Sequence, residues 1–298
     1  MSVCVHLFFC LNFHFYCKFF AFFVVLCYNA SMLFDFSHVL YIIISFSVTA
    51  ALAVLCRRLV KKQKEKDLVL KSAAVLTVVF HFSILYVTYL ETGQAKIDSS
   101  LLFPIYPCHI AMWLLVIVAF SKNKQSEVFA CVAEFTFYLG IVGGIVGILF
   151  NEIYSGNPNL SDWSVLKGLL SHSTLFFGCL YLLVGGYIKI RVKNTFSVLF
   201  GLLFLLLDGV IMIGIFRLAK LDPPNCMYLL ENPVPSMSWF NTYMIGIAGL
   251  LVVFATTALV ERITLPKEER WYTKLKQFKK QKDERTNERI FYIPSISE

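Results

Sequence analysis

Two residues with complementary chemistry, Cys108 and His172, lie within the apolar part of the sequence. A thiolate is a strong nucleophile, and an imidazole beside it accepts the thiol proton and stabilises the thiolate. A carboxylate, here Asp208, holds the imidazole in the correct tautomer in catalytic triads. The three residue types therefore indicate nucleophilic catalysis in which sulfur carries a covalent intermediate.

The segments that hold these residues are long and apolar. Of the 298 residues, 58% are apolar and only 15% are charged, and the mean hydropathy is +0.69. Soluble domains average about 25% charged residues. The apolar runs are about 20 residues long, the length of a helix that crosses a hydrocarbon core of about 30 Å. This composition excludes a secreted disulfide scaffold, a soluble Rossmann enzyme and a nucleic-acid-binding domain.

We predict an all-α, polytopic integral membrane bundle with seven spans and an eighth apolar segment at the N-terminus. The eighth segment, 7–28, is rich in Phe and carries Lys18, so both an additional span and a signal anchor fit it. Residues 1–34 hold this segment, 35–262 form the seven-helix transmembrane domain, and 263–298 form a basic tail. The predicted spans are 38–56, 69–90, 101–120, 128–150, 165–188, 196–216 and 239–260.

Basic residues predict the orientation of the bundle. If the loop after the first span is cytosolic, 22 of the 27 Lys and Arg residues lie on the cytosolic side. The cytosolic loops of membrane proteins carry such an excess. The C-terminal tail is therefore predicted to be cytosolic, and its charged segment 266–289 is predicted to be helical.

The orientation also predicts the depth of each polar residue. Cys108 and His172 each lie about seven residues inside the outer end of a span, or about 10 Å at 1.5 Å per residue. Asp208 and His81 lie near the middle of their spans, whereas Glu134 lies near a cytosolic end. Ionisable groups inside spans are costly and usually mark function. Chemistry in the outer half of the bilayer would act on the acyl esters of lipids.

Packing roles compete with these catalytic ones. A buried cysteine such as Cys108 behaves as a small hydrophobe, and His172 fits an interhelical hydrogen bond. Asp208 fits a structural pair with His81 or with His172. His109 lies about 100° around the helix from Cys108, which assigns it to a different face.

Two sequence features predict the shape of the helices around Cys108. Pro104 and Pro107 are expected to kink the third span and thereby create a cavity wall. Two overlapping pairs of small residues predict close helix packing. These pairs are Gly140/Gly144 and Gly143/Gly147.

Two other functions fit the polar residues. A small-solute or proton-coupled transporter or channel would use Asp208, His81 and Glu134 as a relay along a continuous polar path. Seven spans without inverted halves are atypical of a transporter. A lipid hydrolase would use the same Cys108 nucleophile with water as the acceptor. The sequence contains no cofactor-binding motif and no metal-ligand spacing in a suitable context.

Three motifs occur in the order of a known family. The first resembles the Pro-Cys-His motif of the transmembrane protein 164 family, which is related to bacterial YwaF-type integral membrane proteins. The second is similar to the His-x-x-Leu-Tyr helix of that family, and the third to its Asn-x-Met segment. The resemblance covers roughly residues 35–260. The motifs are Leu102-Phe-Pro-Ile-Tyr-Pro-Cys-His109, Ser171-His-Ser-Thr-Leu-Phe-Phe-Gly-Cys-Leu-Tyr-Leu-Leu183 and Asn225-Cys-Met-Tyr-Leu-Leu-Glu-Asn-Pro233.

The resemblance implies an acyltransferase in an endoplasmic-reticulum-type membrane. The animal member of the family is understood to move an acyl chain from a diacyl phospholipid to a lyso ether phospholipid, which yields plasmalogens. Carried over, the cysteine is Cys108, the acyl acceptor, and the histidine is His172, which activates the thiol and later deprotonates the acceptor hydroxyl. His109, Asp208 and Asn225 take supporting positions. The expected partners are phospholipid and lysophospholipid substrates, with no cofactor, metal or nucleic acid.

Overall fold

The structure, a computed structural model, describes residues 36–93, 99–150, 159–232 and 241–291. All regular secondary structure within these ranges is helical. The apolar segment 7–28, predicted to be a span or a signal anchor, lies outside the described residues.

The described residues form α-helices that we number α1 to α9 in chain order. Three short 3₁₀ turns in the described ranges connect them. One precedes α7, one lies between α7 and α8, and one precedes α9; they are Val192–Asn194, Cys226–Tyr228 and Lys267–Glu269. The helices are α1 Phe36–Leu59, α2 Gln63–Thr92, α3 Ser99–Leu102, α4 Pro107–Phe120, α5 Glu127–Leu149, α6 Trp163–Val184, α7 Thr195–Leu218, α8 Thr242–Thr264 and α9 Trp271–Phe291.

Six of the described helices, α1, α2, α5, α6, α7 and α8, are long and apolar enough to cross a membrane. Large apolar side chains cover their outer surface. Phe200, Leu203 and Leu207 of α7, for example, are each more than half exposed. Soluble monomers rarely expose apolar surface of this extent. The chain is an integral membrane protein, and the predicted polytopic helical bundle is confirmed.

The third predicted span, 101–120, is broken and not continuous. Helix α3 ends at Leu102 and α4 begins at Pro107, with non-helical backbone between them. Pro107 is the first residue of α4, where its missing N–H is not needed. Pro104 disfavours helical backbone at the residue before it. Helix α4 has 14 residues, or about 21 Å, and therefore does not cross a core of about 30 Å by itself.

Helix α6 is the centre of the bundle and packs against α1, α2, α4 and α5. Its first turn is capped by Asp162, which accepts a hydrogen bond from the Ser164 amide at 2.8 Å. The helix ends at Val184, four residues before the predicted end, because Gly186 has φ +83° and turns the chain. The buried core between α2, α4, α5 and α6 includes Leu115 and Leu175.

The glycines of α5 let this helix approach its neighbours closely. A Cβ added to Gly144 would lie 2.7 Å from the Cβ of Phe176 on α6, closer than real Cβ atoms come. A Cβ added to Gly140 would overlap Cys179 of the same helix. The close packing predicted from the small-residue pairs is confirmed.

The C-terminal tail forms helix α9, as predicted from its charged sequence. It follows α8 after the short turn at Lys267–Glu269. Glu261, near the end of α8, is buried and accepts hydrogen bonds from the amides of Val192 and Trp271. This single carboxylate therefore ties the start of α9 to the segment before α7.

Candidate functional site

A cavity of about 270 Å³, its open mouth included, lies between α2, α4 and α6. Its lining residues are Thr77, His81, Cys108, His109, Met112, Ser171, His172 and Leu175. The cavity is small and is far from large enough to hold a whole phospholipid.

Cys108 is the second residue of α4 and is half-buried. The first turn of a helix has amides without intrahelical partners and carries a partial positive charge. The backbone at Cys108 lies against α5, since a Cβ added to Gly143 would be 3.6 Å from its Cα and Cβ. The position of Cys108 therefore favours negative charge on its sulfur.

His172 extends from α6 into the same cavity. Its ring packs against Gly147, where any added Cβ would overlap the ring atoms. Gly143 and Gly147 are one turn apart on α5, or about 6 Å along its axis. Helix α5 thus brings Cys108 and His172 to adjacent positions along one face. The Nδ1 of His172 is buried and makes no hydrogen bond within the described part of the chain.

Two further histidines, His81 of α2 and His109 of α4, line the cavity with their rings edge to face. The ring centroids are 4.8 Å apart. The Nε2 of His81 lies 3.2 Å from the Leu101 carbonyl oxygen, and the Nδ1 of His109 lies 3.2 Å from that of Phe103. A carbonyl oxygen only accepts hydrogen bonds, so each of these ring nitrogens donates.

The position of His109 differs from that expected from helical spacing. An angle of about 100° from Cys108 assigned it to another face of α4. In the structure, both residues line one cavity, because the cavity is bounded by α2 on one side of α4 and by α6 on the other. His109 is therefore a neighbour of Cys108, the predicted nucleophile, and not a residue of a separate surface.

The loop after α7, described over residues 219–232 and named the outer loop after its predicted side of the membrane, contacts the non-helical segment that precedes α4. The Met227 amide donates to the Ile105 carbonyl oxygen at 2.8 Å. Asn225 holds this loop in shape, since its Oδ1 accepts from the amides of Leu230 and Glu231 and its Nδ2 donates to the Glu231 carbonyl. Asn225 does not line the cavity, and its contacts are those of a residue that positions the loop.

Asp208 of α7 lies beside this outer loop. The next residue, Gly209, packs against Met227 and Leu229, and Asp208 is within electrostatic range of Cys226. Its Oδ2 is buried and has no hydrogen-bond partner among the described residues. Asp208 is not among the residues that line the cavity, because α7 packs against α5, α8 and the outer loop. The triad arrangement with His172 does not occur in this structure.

Glu134 lies at the other end of the bundle. Its carboxylate accepts hydrogen bonds from the Asn194 side-chain amide and, at 3.3 Å, from the Ser197 hydroxyl. The three residues of the transporter alternative, His81, Asp208 and Glu134, therefore have three separate sets of neighbours.

Sequence reasoning missed several residues of the cavity wall. Thr77 lies four residues before His81, and Met112 lies four residues after Cys108, so each shares a helix face with a residue that was identified. Ser171 is the residue before His172, and its hydroxyl donates to the Gly168 carbonyl. The signal that could have found Thr77 and Met112 is the four-residue helical spacing.

Lys167 is a buried basic residue near the start of α6. It is within electrostatic range of His81, His109 and His172. The sequence predicts only that Lys167 is one of the few basic residues on the outer side of the membrane. In the structure it adds positive charge close to the cavity. No group of three or more His, Cys, Asp and Glu residues in the described ranges could hold a metal ion.

Comparison with known proteins gives one match. The model of the TMEM164 family, the transmembrane protein 164 family named above, matches residues 33–260, more than half of the chain. This range includes the Pro-Cys-His motif, the helix of His172 and the segment that begins at Asn225. No curated protein and no solved structure matches the chain. The relation to bacterial YwaF-type proteins stays a prediction.

Proposed function

The chain belongs to the TMEM164 family, and on this premise we propose that it is a membrane-embedded phospholipid transacylase. It takes a fatty acyl chain from a donor phospholipid and transfers it to the hydroxyl of a lysophospholipid, in particular a lyso ether lipid on the way to plasmalogens. The observation that supports this proposal is that Cys108 and His172, from two different helices, line one cavity.

In the first half-reaction, His172 accepts the proton of the Cys108 thiol. The sulfur attacks the ester carbonyl carbon of the donor, the carbon–oxygen ester bond breaks, and the leaving alkoxide of the lysophospholipid takes the proton from the imidazole. The acyl group then remains on Cys108 as a thioester. The partial positive charge at the start of α4 stabilises the attacking sulfur.

In the second half-reaction, the hydroxyl of the acceptor attacks the carbonyl carbon of the thioester. A base accepts the hydroxyl proton, the carbon–sulfur bond breaks, and the same proton returns to the departing thiolate of Cys108. The balance of the two steps is the transfer of one acyl group between two alcohols. No external oxidant, reductant or activated acyl carrier enters this balance.

The electrostatics of the cavity suit this reaction. The tetrahedral intermediates of acyl transfer carry negative charge on oxygen, and groups that stabilise this charge usually give the largest contribution to catalysis. Lys167 is buried close to the cavity and supplies positive charge. It also suits the phosphate group of a phospholipid that enters from the outer leaflet.

The size of the cavity limits how a lipid can bind. The cavity is too small for a whole phospholipid, so we propose that only the ester group reaches it and that the acyl chains extend between helices into the bilayer. The non-helical segment before α4 contacts His109 of the cavity, and the outer loop contacts that segment. We propose that the substrate enters beside them.

We also propose that the protein resides in the endoplasmic reticulum or a related endomembrane, with helix α9 in the cytosol. The supports are the excess of Lys and Arg on one side of the spans and the resemblance described above.

The test of the proposed function compares purified Cys108→Ala and His172→Ala variants with the natural protein, using a defined donor phospholipid and a lysophospholipid acceptor. Acyl transfer should be lost in the cysteine variant and fall at least about 100-fold in the histidine variant. Cys131→Ala, which removes an exposed cysteine of α5, is the matched control and should keep full activity. Unchanged transfer by Cys108→Ala would refute the mechanism. Release of free fatty acid without transfer would favour the hydrolase.

A further inference from the structure

We propose that His109 is the base of the second half-reaction, the group that deprotonates the acceptor hydroxyl as it attacks the thioester. This inference rests on the proposed function and divides the two proton transfers between two histidines. His172 serves the Cys108 thiol, and His109 serves the incoming alcohol.

The hydrogen bond of His109 determines where its proton lies. Its Nδ1 faces the Phe103 carbonyl oxygen at 3.2 Å, and because that oxygen can only accept, Nδ1 carries the proton. A neutral imidazole has one N–H, so Nε2 holds the lone pair. Nε2 makes no hydrogen bond to the residues that the structure describes. His109 therefore presents a basic nitrogen whose partner nitrogen is already fixed, the arrangement that orients histidine bases.

The sequence explains why the Phe103 carbonyl is available. In a continuous helix, this oxygen would accept from the amide four residues later. That residue is Pro107, which has no N–H. Among the described residues outside the helices, the only backbone donor to the Phe103 oxygen is the Ile105 amide, at 2.8 Å. A carbonyl oxygen has two lone pairs, so the Phe103 oxygen can also accept from His109. The proline that starts α4 thus releases the acceptor that holds His109.

Contacts with two neighbouring rings hold the imidazole of His109 in place. The His81 ring lies edge to face with it at 4.8 Å, and the Tyr106 ring does so at 5.5 Å between centroids. The Nε2 of His81 donates to the Leu101 carbonyl, so His81 is itself fixed. His109 directly follows Cys108 in the chain, and both line the same cavity. A base at this position is next to any acyl group on the sulfur.

His172 is less suited to the second step. Its Nδ1 is buried and makes no hydrogen bond in the described ranges, so no acceptor fixes a proton there as Phe103 does for His109. Its ring lies against Gly147 on the side of α5. His172 is thus placed beside the helix against which Cys108 also packs, which suits proton exchange with the thiol.

The proposed step balances as follows. Nε2 of His109 takes the proton of the acceptor hydroxyl while the oxygen forms a bond to the thioester carbon. The carbon–sulfur bond then breaks, and the imidazolium of His109 gives this proton to the departing thiolate of Cys108. The histidine returns to its initial neutral state with Nδ1 still donating to Phe103.

The experiment uses His109→Asn in the full chain, reconstituted in phosphatidylcholine vesicles. The Asn side-chain amide can still donate to the Phe103 carbonyl, but it has no basic nitrogen. Formation of the acyl-enzyme on Cys108 is measured by intact-protein mass spectrometry, and its discharge is measured after a lysophospholipid is added. We expect acyl-enzyme formation within about twofold of the natural protein and a discharge rate lower by about 100-fold or more. In the natural protein the discharge rate should rise with pH as the base loses its proton, and this rise should be absent in His109→Asn.

His38→Gln is the matched control, because His38 of α1 is not among the residues that line the cavity and a glutamine there can still donate to the Ile148 carbonyl. Its discharge rate should stay within about twofold. Hydroxylamine, which needs no general base, should release the acyl group from His109→Asn as fast as from the natural protein. Normal discharge to lysophospholipid by His109→Asn would overturn the proposal, as would an equal loss of both half-reactions. If His109→Asn does not fold, His109→Gln repeats the test. Failure of the proposed function is distinguishable, since no acyl-enzyme would then form on Cys108 in the natural protein.

Discussion

The absence of a side chain at Gly147 determines the position of the His172 ring. The ring of this histidine occupies the space that a Cβ on Gly147 would fill, whereas one turn earlier a Cβ on Gly143 would make only ordinary contact with Cys108 at 3.6 Å. The two glycines of one helix face therefore have different roles. Gly147 makes room for the proposed base, and Gly143 merely lies beside the proposed nucleophile.

Alanine at these two positions should give opposite results. Gly147→Ala should displace the His172 ring and reduce acyl transfer at least about tenfold, with a loss of stability of about 1–3 kcal/mol from overpacking. Gly143→Ala should keep activity within about threefold. The measurements are transfer rates and thermal unfolding of the purified variants, with Gly249→Ala, which faces open space on α8, as the control. Full activity in Gly147→Ala would contradict the assigned position of His172.

At the residue level, residue type and depth predicted that Cys108 and His172 lie close together, because ionisable groups within apolar spans are few and costly. Both residues line the cavity, and their catalytic roles stay a prediction. The orientation of His109 was not found, because it depends on a carbonyl six residues earlier in a segment whose helix is broken. Asp208 was placed at a suitable depth, but depth does not tell which side of a helix bundle a residue faces.

At the level of elements, the break between α3 and α4 shapes the cavity. Non-helical backbone inside a membrane is tolerated where it is buried in protein or lines a cavity, and Ile105 is fully buried. The carbonyl oxygens of this segment find partners in His81, His109 and the Met227 amide. Two histidines that line the cavity thereby take the place of backbone donors.

Pro107→Ala tests this link between backbone and site. The restored amide can compete with His109 for the Phe103 carbonyl, and loss of one hydrogen bond of about 0.5–1.5 kcal/mol corresponds to roughly a two- to tenfold change. We expect discharge of the acyl-enzyme to slow by about tenfold while its formation changes less. Pro104→Ala, whose restored amide would seek a different carbonyl, is the control. Equal rates of discharge in Pro107→Ala and the natural protein would show that the proline has no such role.

Glu134 of α5 joins this helix to the start of α7 through its hydrogen bonds with Asn194 and Ser197. We therefore expect Glu134 to affect stability and not catalysis. Glu134→Gln replaces one carboxylate oxygen by an NH₂ group, which cannot accept a hydrogen bond from Asn194 or Ser197. This change should cost about 1–3 kcal/mol of stability. The acyl-transfer rate per folded molecule should stay within about twofold. Glu127→Gln, at the exposed start of the same helix, should change neither quantity. A transfer rate that falls more than tenfold in folded Glu134→Gln would favour the relay alternative.

The elements themselves were largely predictable. Six predicted spans correspond to long apolar helices because a bilayer demands about 20 apolar residues per crossing. The third span was predicted as a kinked helix, and the structure shows a full break. Two prolines three residues apart, at Pro104 and Pro107, remove more backbone donors than one kink can accommodate.

At the level of the whole molecule, the bundle is organised around α6, which contacts α1, α2, α4 and α5. Helix α6 carries His172, Ser171 and Lys167, so the most central helix also supplies much of the cavity. Which helices contact each other could not be predicted from apolar pattern alone, since spans of similar hydropathy have many ways to pack. The glycine pairs of α5 gave the only packing signal.

The proposed orientation predicts that the C-terminus is cytosolic. A tag placed after the last residue should be removed by protease from sealed microsomal vesicles without detergent, while a lumenal marker protein stays intact. The physical reason is the positive-inside rule, which places the Lys-rich tail in the cytosol. A tag that resists protease until detergent is added would reverse the orientation and move the cavity to the cytosolic leaflet.

The most direct test of the central claim is the mass of the protein after incubation with a donor phospholipid of one defined acyl chain. We predict an increase equal to that acyl group, located on Cys108 by peptide mapping, removed by hydroxylamine and discharged by added lysophospholipid. The contradicting result is acyl transfer at the natural rate with no adduct on Cys108 and with undiminished activity in Cys108→Ala.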